Sequence, residues 1–466
     1  MKTKLLIEQH FHGCFGIDFN KASVDDILYL SKEILKYGIG GIFPTIVTDS
    51  VENTKRAIKN IKEASQKQTS DMAKILGIHL EGIFINPEKK GIHNPKHFLA
   101  PTIENYKLIE DDFIKIVTLA PEMCEAKQLS SQAAKESGKL KVESGKLDNF
   151  QFSTFNFQLD TSNLINYLTS QGIKVQAGHC TGGDLTGCSG VTHLFNAMSG
   201  ITHRGKSTAL SALINDDIYT EIIADGVHVS DDALKLLFKT KPLDKIILIS
   251  DCLPCTKAAK QLSSQAAKLD NSEILQIQQT DKNLSTFQPF NHSTNNYPSP
   301  QPSPSRGEGA CHDSPSTFQP FNPSTEKDLS PYRPVSLSPS IMQFTFADET
   351  IYYDGKKATS KEGTLAGSTT LLPDIIKRLA ILFEDKSGKW KVENGKLEQS
   401  APTLPSPVGR VSEGQEGVEL SETSLLPYLH TSIKQLVTNP YTYHNIDLKG
   451  SIEWDEDWNI IKINNL

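Results

Sequence analysis

Eight short apolar runs punctuate the chain, at residues 5–12, 40–47, 74–80, 113–119, 173–179, 190–194, 220–224 and 245–250. Most are rich in Ile, Val and Leu and lack the alternation of a sheet with one wet face, so they predict parallel strands buried on both sides. Stretches of helical period separate them, as at residues 24–37, 51–67 and 231–239. The last of these opens with Ser230 and Asp231, suitable capping residues, and its leucines return at helical spacing. Strand and helix alternating in this way predict an α/β fold closed as a (β/α)8 TIM-like barrel, with its chemistry where strands run into the following loops.

Three stretches break that rhythm, at about residues 126–158, 257–340 and 386–423. KQLSSQAAK occurs at residues 127–135 and again at 260–268, residues 137–149 are echoed by 387–399, and STFQPFN starts at both Ser285 and Ser316. The spacing is irregular, no apolar period accompanies the copies, and the longest stretch is dense in Ser, Pro, Asn and Gln, so these are not solenoid repeats. They read as in-frame copies of a repetitive element and predict disordered inserts, because they offer too little apolar surface to offset the entropy of ordering.

Composition narrows the function. Of 466 residues, 48 are basic and 55 acidic, a net charge of -7, and no long basic run offers itself to a phosphate backbone, so no nucleic-acid partner is expected. No stretch approaches the length of apolar chain needed to cross a bilayer, which predicts a soluble cytoplasmic protein without a membrane partner. Seven cysteines at irregular spacings make no disulfide framework, and Cys252 with Cys255 forms a lone CxxC without a second pair.

Charged and imidazole side chains recur at the ends of the apolar runs. His10 and His12 lie on one side of a strand, since side chains alternate with period two; they are either an ordinary strand-end pair or a pair aimed at one cation. Glu81 ends the third run, and a loop shaped by Pro87 and Gly91 carries His93 after it. His179 and His193 sit in or at the end of two consecutive strand-like runs, where a histidine is ordinarily a satisfied core residue. With Glu81 on a third strand they make a ligand set for zinc or ferrous iron that leaves positions open to water and substrate. Asp251, at the end of the last run, is either a helix cap or a general base facing the same centre.

Together the strings HLEGIFINPEKKGIHN (79–94), VTLAPE (117–122), GHC (178–180), THLFNAM (192–198), ADGVHV (224–229), SDC (250–252), GTLAGS (363–368) and the C-terminal NPYTYHNIDLKG resemble the N-acetylglucosamine-6-phosphate deacetylases, a branch of the amidohydrolase superfamily. The resemblance covers nearly everything outside the inserts. It implies a barrel of the metal-dependent hydrolase type that cleaves the acetyl group from N-acetylglucosamine 6-phosphate. It further implies a divalent metal, zinc or iron, one or two ions per subunit, on Glu81, His179 and His193. His10 and His12 match a His-x-His of members able to hold a second ion. Asp251 matches the catalytic aspartate and His93 a contact to the substrate. Asn196, Ala197, Arg204 and His228 match the group that holds the sugar phosphate, the arginine serving the neighbouring subunit of a homodimer.

Family members carry further residues before the first barrel strand, which complete a small β-sandwich with C-terminal strands. With Met1 almost at strand one, that sandwich is expected to be reduced or absent, through either a real loss or a misplaced start codon. The chain then divides into a barrel over residues 1–437 and a C-terminal β segment over 438–466, in which Ile452, Trp454, Ile460 and Ile461 would lack strand partners and leave an exposed edge. A catalytically impaired relic, or another amidohydrolase, is the alternative. The latter generally uses a carboxylated lysine where this chain has Glu81.

Overall fold

The computed structural model describes residues 1–124, 163–257, 342–383, 390–393, 396–399 and 426–464. The eight apolar runs supply β1 (Leu6–Phe11), β2 (Ile39–Val47), β3 (Ile78–Glu81), β4 (Ile114–Leu119), β5 (Lys174–Ala177), β6 (Gly190–Val191), β7 (Tyr219–Ile223) and β8 (Ile246–Ile249). Successive strands pair in parallel from β1 to β8. The ring closes just past the strand ends, where the Asp251 N–H donates to His10 O and the His12 N–H to Cys252 O, both at 2.9 Å. At the same seam Glu8 takes the Ser250 N–H at 3.1 Å, and burial pushes its carboxyl up to about 8.

The predicted run 74–80 is broken. Lys74–Ile75 pairs with Gly41 and Ile42, and β3 resumes against Thr45 to Val47. Gly77 lies between them, where a Cβ would stand 2.3 Å from Lys115 Cγ. Strand β6 is also shorter than predicted, because the chain turns at His193 rather than continuing through Leu194.

Helices pack outside the ring. Val24–Leu35 begins with a capping box in which Ser23 and Asp26 satisfy each other's backbone N–H, and it buries Ile27, Leu30 and Ile34. Val51–Lys67 is capped by Ser50, and Asp231–Thr240 by Ser230 as the sequence predicts. Each fully buried Ile or Leu contributes roughly 1.5–3 kcal/mol, so these faces hold the helices to the barrel.

Helix Leu426–His444 closes the floor. Asn439 Nδ2 donates to Leu243 O and Ile246 O at 2.7 and 2.6 Å, and the Tyr441 hydroxyl to Leu5 O at 2.7 Å, so it lies under the starts of β8 and β1. This helix runs without a break across residue 438, where the sequence reading placed a domain boundary.

The C-terminal segment has partners, contrary to expectation. Ser451–Trp454 pairs with Ile460–Asn464 and, antiparallel, with Lys2–Lys4, so three residues at the start of the chain cover the edge. Ile452 and Trp454 are buried, and Trp454 Nε1 donates to Thr3 Oγ1 at 3.0 Å; Ile461 alone is markedly exposed, at 64%. A second small sheet, Met342–Phe346, Glu349–Tyr353 and Ala358–Thr359, forms an antiparallel meander.

The stretches 126–158 and 257–340, expected to be disordered inserts, lie outside the described residues apart from Lys257. Part of the third does not: Trp390–Glu393 and Lys396–Gln399 pair as an antiparallel hairpin, against the expectation of disorder. Asn394-Gly395, the pair most favoured in two-residue hairpin connections, stands between them in sequence. Among the described residues no helix is long and apolar enough to cross a membrane.

Candidate active site

The named side chains converge at the C-terminal ends of the strands, as a parallel barrel requires. His10 lies in β1 and His12 just beyond it, Glu81 ends β3, and His179, His193 and Asp251 each stand two residues past β5, β6 and β8. The last three adopt left-handed backbone, at φ 47°, 30° and 51°. Such a conformation costs a non-glycine residue on the order of 1–3 kcal/mol and persists where the surroundings enforce it. Here it turns three strand-end side chains inward to one point.

Glu81 occupies that point, and its two oxygens face different imidazoles. Oε1 lies 3.2 Å from His179 Nε2 and 2.9 Å from His193 Nε2. Oε2 lies 3.3 Å from His10 Nε2 and 3.1 Å from His12 Nε2. Asp251 Oδ1 is 3.3 Å from His10 Nε2 and 3.1 Å from His12 Nε2, completing the second half. All six side chains are buried.

Burial opposes charge on these groups: by itself it raises the carboxyls and lowers the imidazoles. Mutual attraction is stronger, so Glu81 and Asp251 are held below the usual carboxylate range while His10 is raised and His12 rises to about 9. A divalent cation suits the same donors better than shared protons do. His179 Nδ1 donates to Lys89 O at 2.8 Å, which leaves the Nε2 lone pair aimed at the cluster. His10 Nε2 and Asp251 Oδ1 are buried without a hydrogen-bond partner. The ligand atoms of His10, His12, Glu81 and Asp251 lie within 4.8 Å of one another. Imidazole and carboxylate donors so placed fit zinc or ferrous iron.

A cavity of about 340 Å³ opens over the cluster, within the range of small-molecule sites. His93, Asn196, Ala197 and His228 line it together with Lys89 and the turn Thr364 to Gly367. His93 Nε2 lies 3.9 Å from Glu81 Oε2, and its Nδ1 meets Thr48 Oγ1 at 2.7 Å. Gly82 makes that approach possible, since a Cβ there would stand 2.1 Å from Thr48 Oγ1. His228 has both ring nitrogens against acceptors, Nδ1 2.8 Å from Asp225 Oδ2 and Nε2 2.7 Å from Ala366 O. Arg204 is not brought to the cavity's lining; it stands exposed on the loop before helix Thr208–Ile214.

Several contributors escape sequence reasoning. Thr48 and Glu221, whose Oε2 lies 3.0 Å from His10 Nδ1, come from segments that no motif marks, and the Lys89 carbonyl, though inside the 79–94 string, serves by its backbone, which residue type does not report. GTLAGS signalled its own part: the Ser368 N–H donates to Asp251 O at 2.8 Å, so this turn pins the aspartate. Cys252 and Cys255 are free and buried, and burial pushes both thiols up, the reverse of a reactive or metal-binding pair.

No family model matches the chain. It is 32% identical over 254 residues to an N-acetylglucosamine-6-phosphate deacetylase of Bacillus subtilis, a match covering 53% of this chain and 57% of the relative. A Danio rerio protein of the same name is 30% identical over 272 residues, covering 53% and 57%. The chain thus spans little more than half the length of the curated relatives it matches. Among solved structures, N-acetylglucosamine-6-phosphate deacetylase from Thermotoga maritima superposes with a TM-score of 0.59 at 17% identity, over 100% of this chain and 87% of that one. A Mycobacterium smegmatis mutant in complex with N-acetyl-D-glucosamine-6-phosphate gives 0.59 at 16% identity, over 99% and 84%. These likenesses establish the barrel.

Proposed function

We propose, from the kinship of this chain with the N-acetylglucosamine-6-phosphate deacetylases, that it hydrolyses N-acetylglucosamine 6-phosphate to glucosamine 6-phosphate and acetate. The observation that carries the reading is the division of Glu81 between two imidazole pairs with Asp251 opposite, beneath a cavity sized for a sugar phosphate.

Glu81, His179 and His193 would hold a divalent ion, with His10 and His12 as ligands of a second. Bound there, the metal supplies a polarised amide carbonyl and a more acidic water. Asp251, kept ionised among imidazoles, accepts the proton of the attacking water as the C–O bond forms and returns it to the nitrogen as the C–N bond breaks. His93 orients the acetyl carbonyl. Thr48 Oγ1, which accepts the Ile83 N–H at 2.8 Å, lies 2.7 Å from His93 Nδ1 and so fixes the ring with its Nε2 edge on the cavity side. Asn196, Ala197 and His228 line the side where the sugar phosphate sits. Arg204, exposed and planar, reaches the phosphate of the neighbouring subunit in a homodimer. The reaction belongs to amino-sugar catabolism in the cytoplasm.

Purified protein loaded with zinc or ferrous iron and incubated with N-acetylglucosamine 6-phosphate should release acetate and free amine in equal amounts. Metal-loaded protein that releases neither overturns the reading.

A further inference from the structure

Below the site, the barrel interior contains a polar chain that the reaction itself does not use. It begins on the floor helix, where His444 Nε2 donates to Gln9 Oε1 at 2.9 Å. Gln9 Nε2 donates to Glu221 Oε1 at 2.5 Å, and Glu221 Oε2 lies 3.0 Å from His10 Nδ1. Gln9, His10 and Glu221 are at most 1% exposed. A register shift in β1 between Glu8 and Phe11 lets Gln9 and His10, adjacent in sequence, reach the same carboxylate.

The direction of each bond is fixed. An amide oxygen only accepts, so His444 is the donor; a carboxylate only accepts, so Gln9 donates and so does His10 Nδ1. In the neutral form that a metal ligand requires, His10 carries its proton on Nδ1 and has its Nε2 lone pair on the side of Glu81 Oε2 and Asp251 Oδ1, each 3.3 Å away. Nε2 has no hydrogen-bond partner there. His79 lies close enough for His10, His79 and Glu221 to suggest an ion of their own. Its nitrogens are already engaged, Nδ1 with Gln9 O at 3.0 Å and Nε2 with Thr118 Oγ1 at 2.8 Å, which leaves Glu221 to His10 and Gln9.

We propose that Glu221 is a positioning residue which, backed by Gln9 and His444, holds His10 as the Nδ1–H tautomer and so prepares its Nε2 for the second ion. This rests on the two-ion reading of the site above. Carboxylate partners of this kind typically change metal affinity 10–100-fold when removed.

Metal binding tests it directly. Zinc titrated into metal-free wild type should fill two sites. In Glu221→Gln the weaker site should lose about 10–100-fold in affinity while the tighter one is unchanged. The metal-free variant should melt with the wild type, which separates positioning from a folding defect. Adding Glu221→Gln to His10→Ala should change zinc binding no further than His10→Ala alone. If Glu221→Gln misfolds, Gln9→Leu and His444→Phe, which remove the backing only, should weaken the same site. Wild type with two sites and a folded Glu221→Gln that also keeps both at full affinity would overturn the role of Glu221. Wild type that never takes up more than one ion overturns the two-ion reading, and this inference with it.

Discussion

Asp251 and His228 illustrate how single side chains set the chemistry of the rim. Replacing Asp251 with Asn keeps the size of the side chain beside His10 and His12 but removes the carboxylate proposed as the proton carrier. Turnover should fall about 10²–10⁴-fold with little change in substrate binding, read from kcat against KM; near-normal kcat would exclude it as the base. His228 contributes a pH dependence of its own. Burial alone would lower its pKa, but the bond to the Asp225 carboxylate outweighs burial and the net shift is upward. Burial likewise opposes charge on Asp225, yet His228 holds that carboxyl down to about 2. A raised histidine contributes stability that is fully present below its unfolded value of about 6.5 and is lost as pH rises through the folded value. The melting temperature of wild type minus that of His228→Asn should therefore be largest between about pH 4 and 6.5, shrink as pH rises above about 6.5, and shrink again below about pH 4 as Asp225 takes up a proton. A difference that grows as pH rises above about 6.5 would contradict this.

At the scale of elements, β1 presents His10 and His12 to one half of the site while β5 and β6 present His179 and His193 to the other. Changing His10 and His12 to alanine should lower zinc content from about two ions to about one and spare the ion at His179 and His193. Loss of all metal would show the halves to be inseparable. Much of this was legible in the chain: eight apolar runs gave eight strands, and every candidate ligand falls at a strand end, because burial on both faces and the rim position follow from local pattern. The rest depends on contacts distant in sequence. The break at Gly77 reflects Lys115 on the next strand, and the shift in β1 that brings Gln9 to Glu221 has no local sign. The pairing of Lys2–Lys4 with Ser451–Trp454 joins opposite ends of the chain, which no periodicity reports.

Across the whole molecule, the question is whether the barrel depends on residues 258–341. The segments flanking that stretch return to one neighbourhood. The Phe15 N–H donates to Thr256 O at 2.8 Å, and Lys21 Nζ to Thr345 O at 3.2 Å, both from the segment that follows β1. Phe346 then packs its ring 5.2 Å from that of His12, so the chain resumes directly against the site. Loop-closure entropy rises by only about 0.6 kcal/mol per doubling of length, which lets a barrel carry a long connection between neighbouring points. Replacing residues 258–341 with a Gly-Ser linker roughly a tenth as long should recover up to about 2 kcal/mol of that entropy. The shortened protein should melt at or above the wild-type temperature, bind zinc with the same stoichiometry and release acetate at least as fast. A shortened chain that fails to fold, or that folds but loses zinc, would show that the stretch supports the barrel and is no graft upon it.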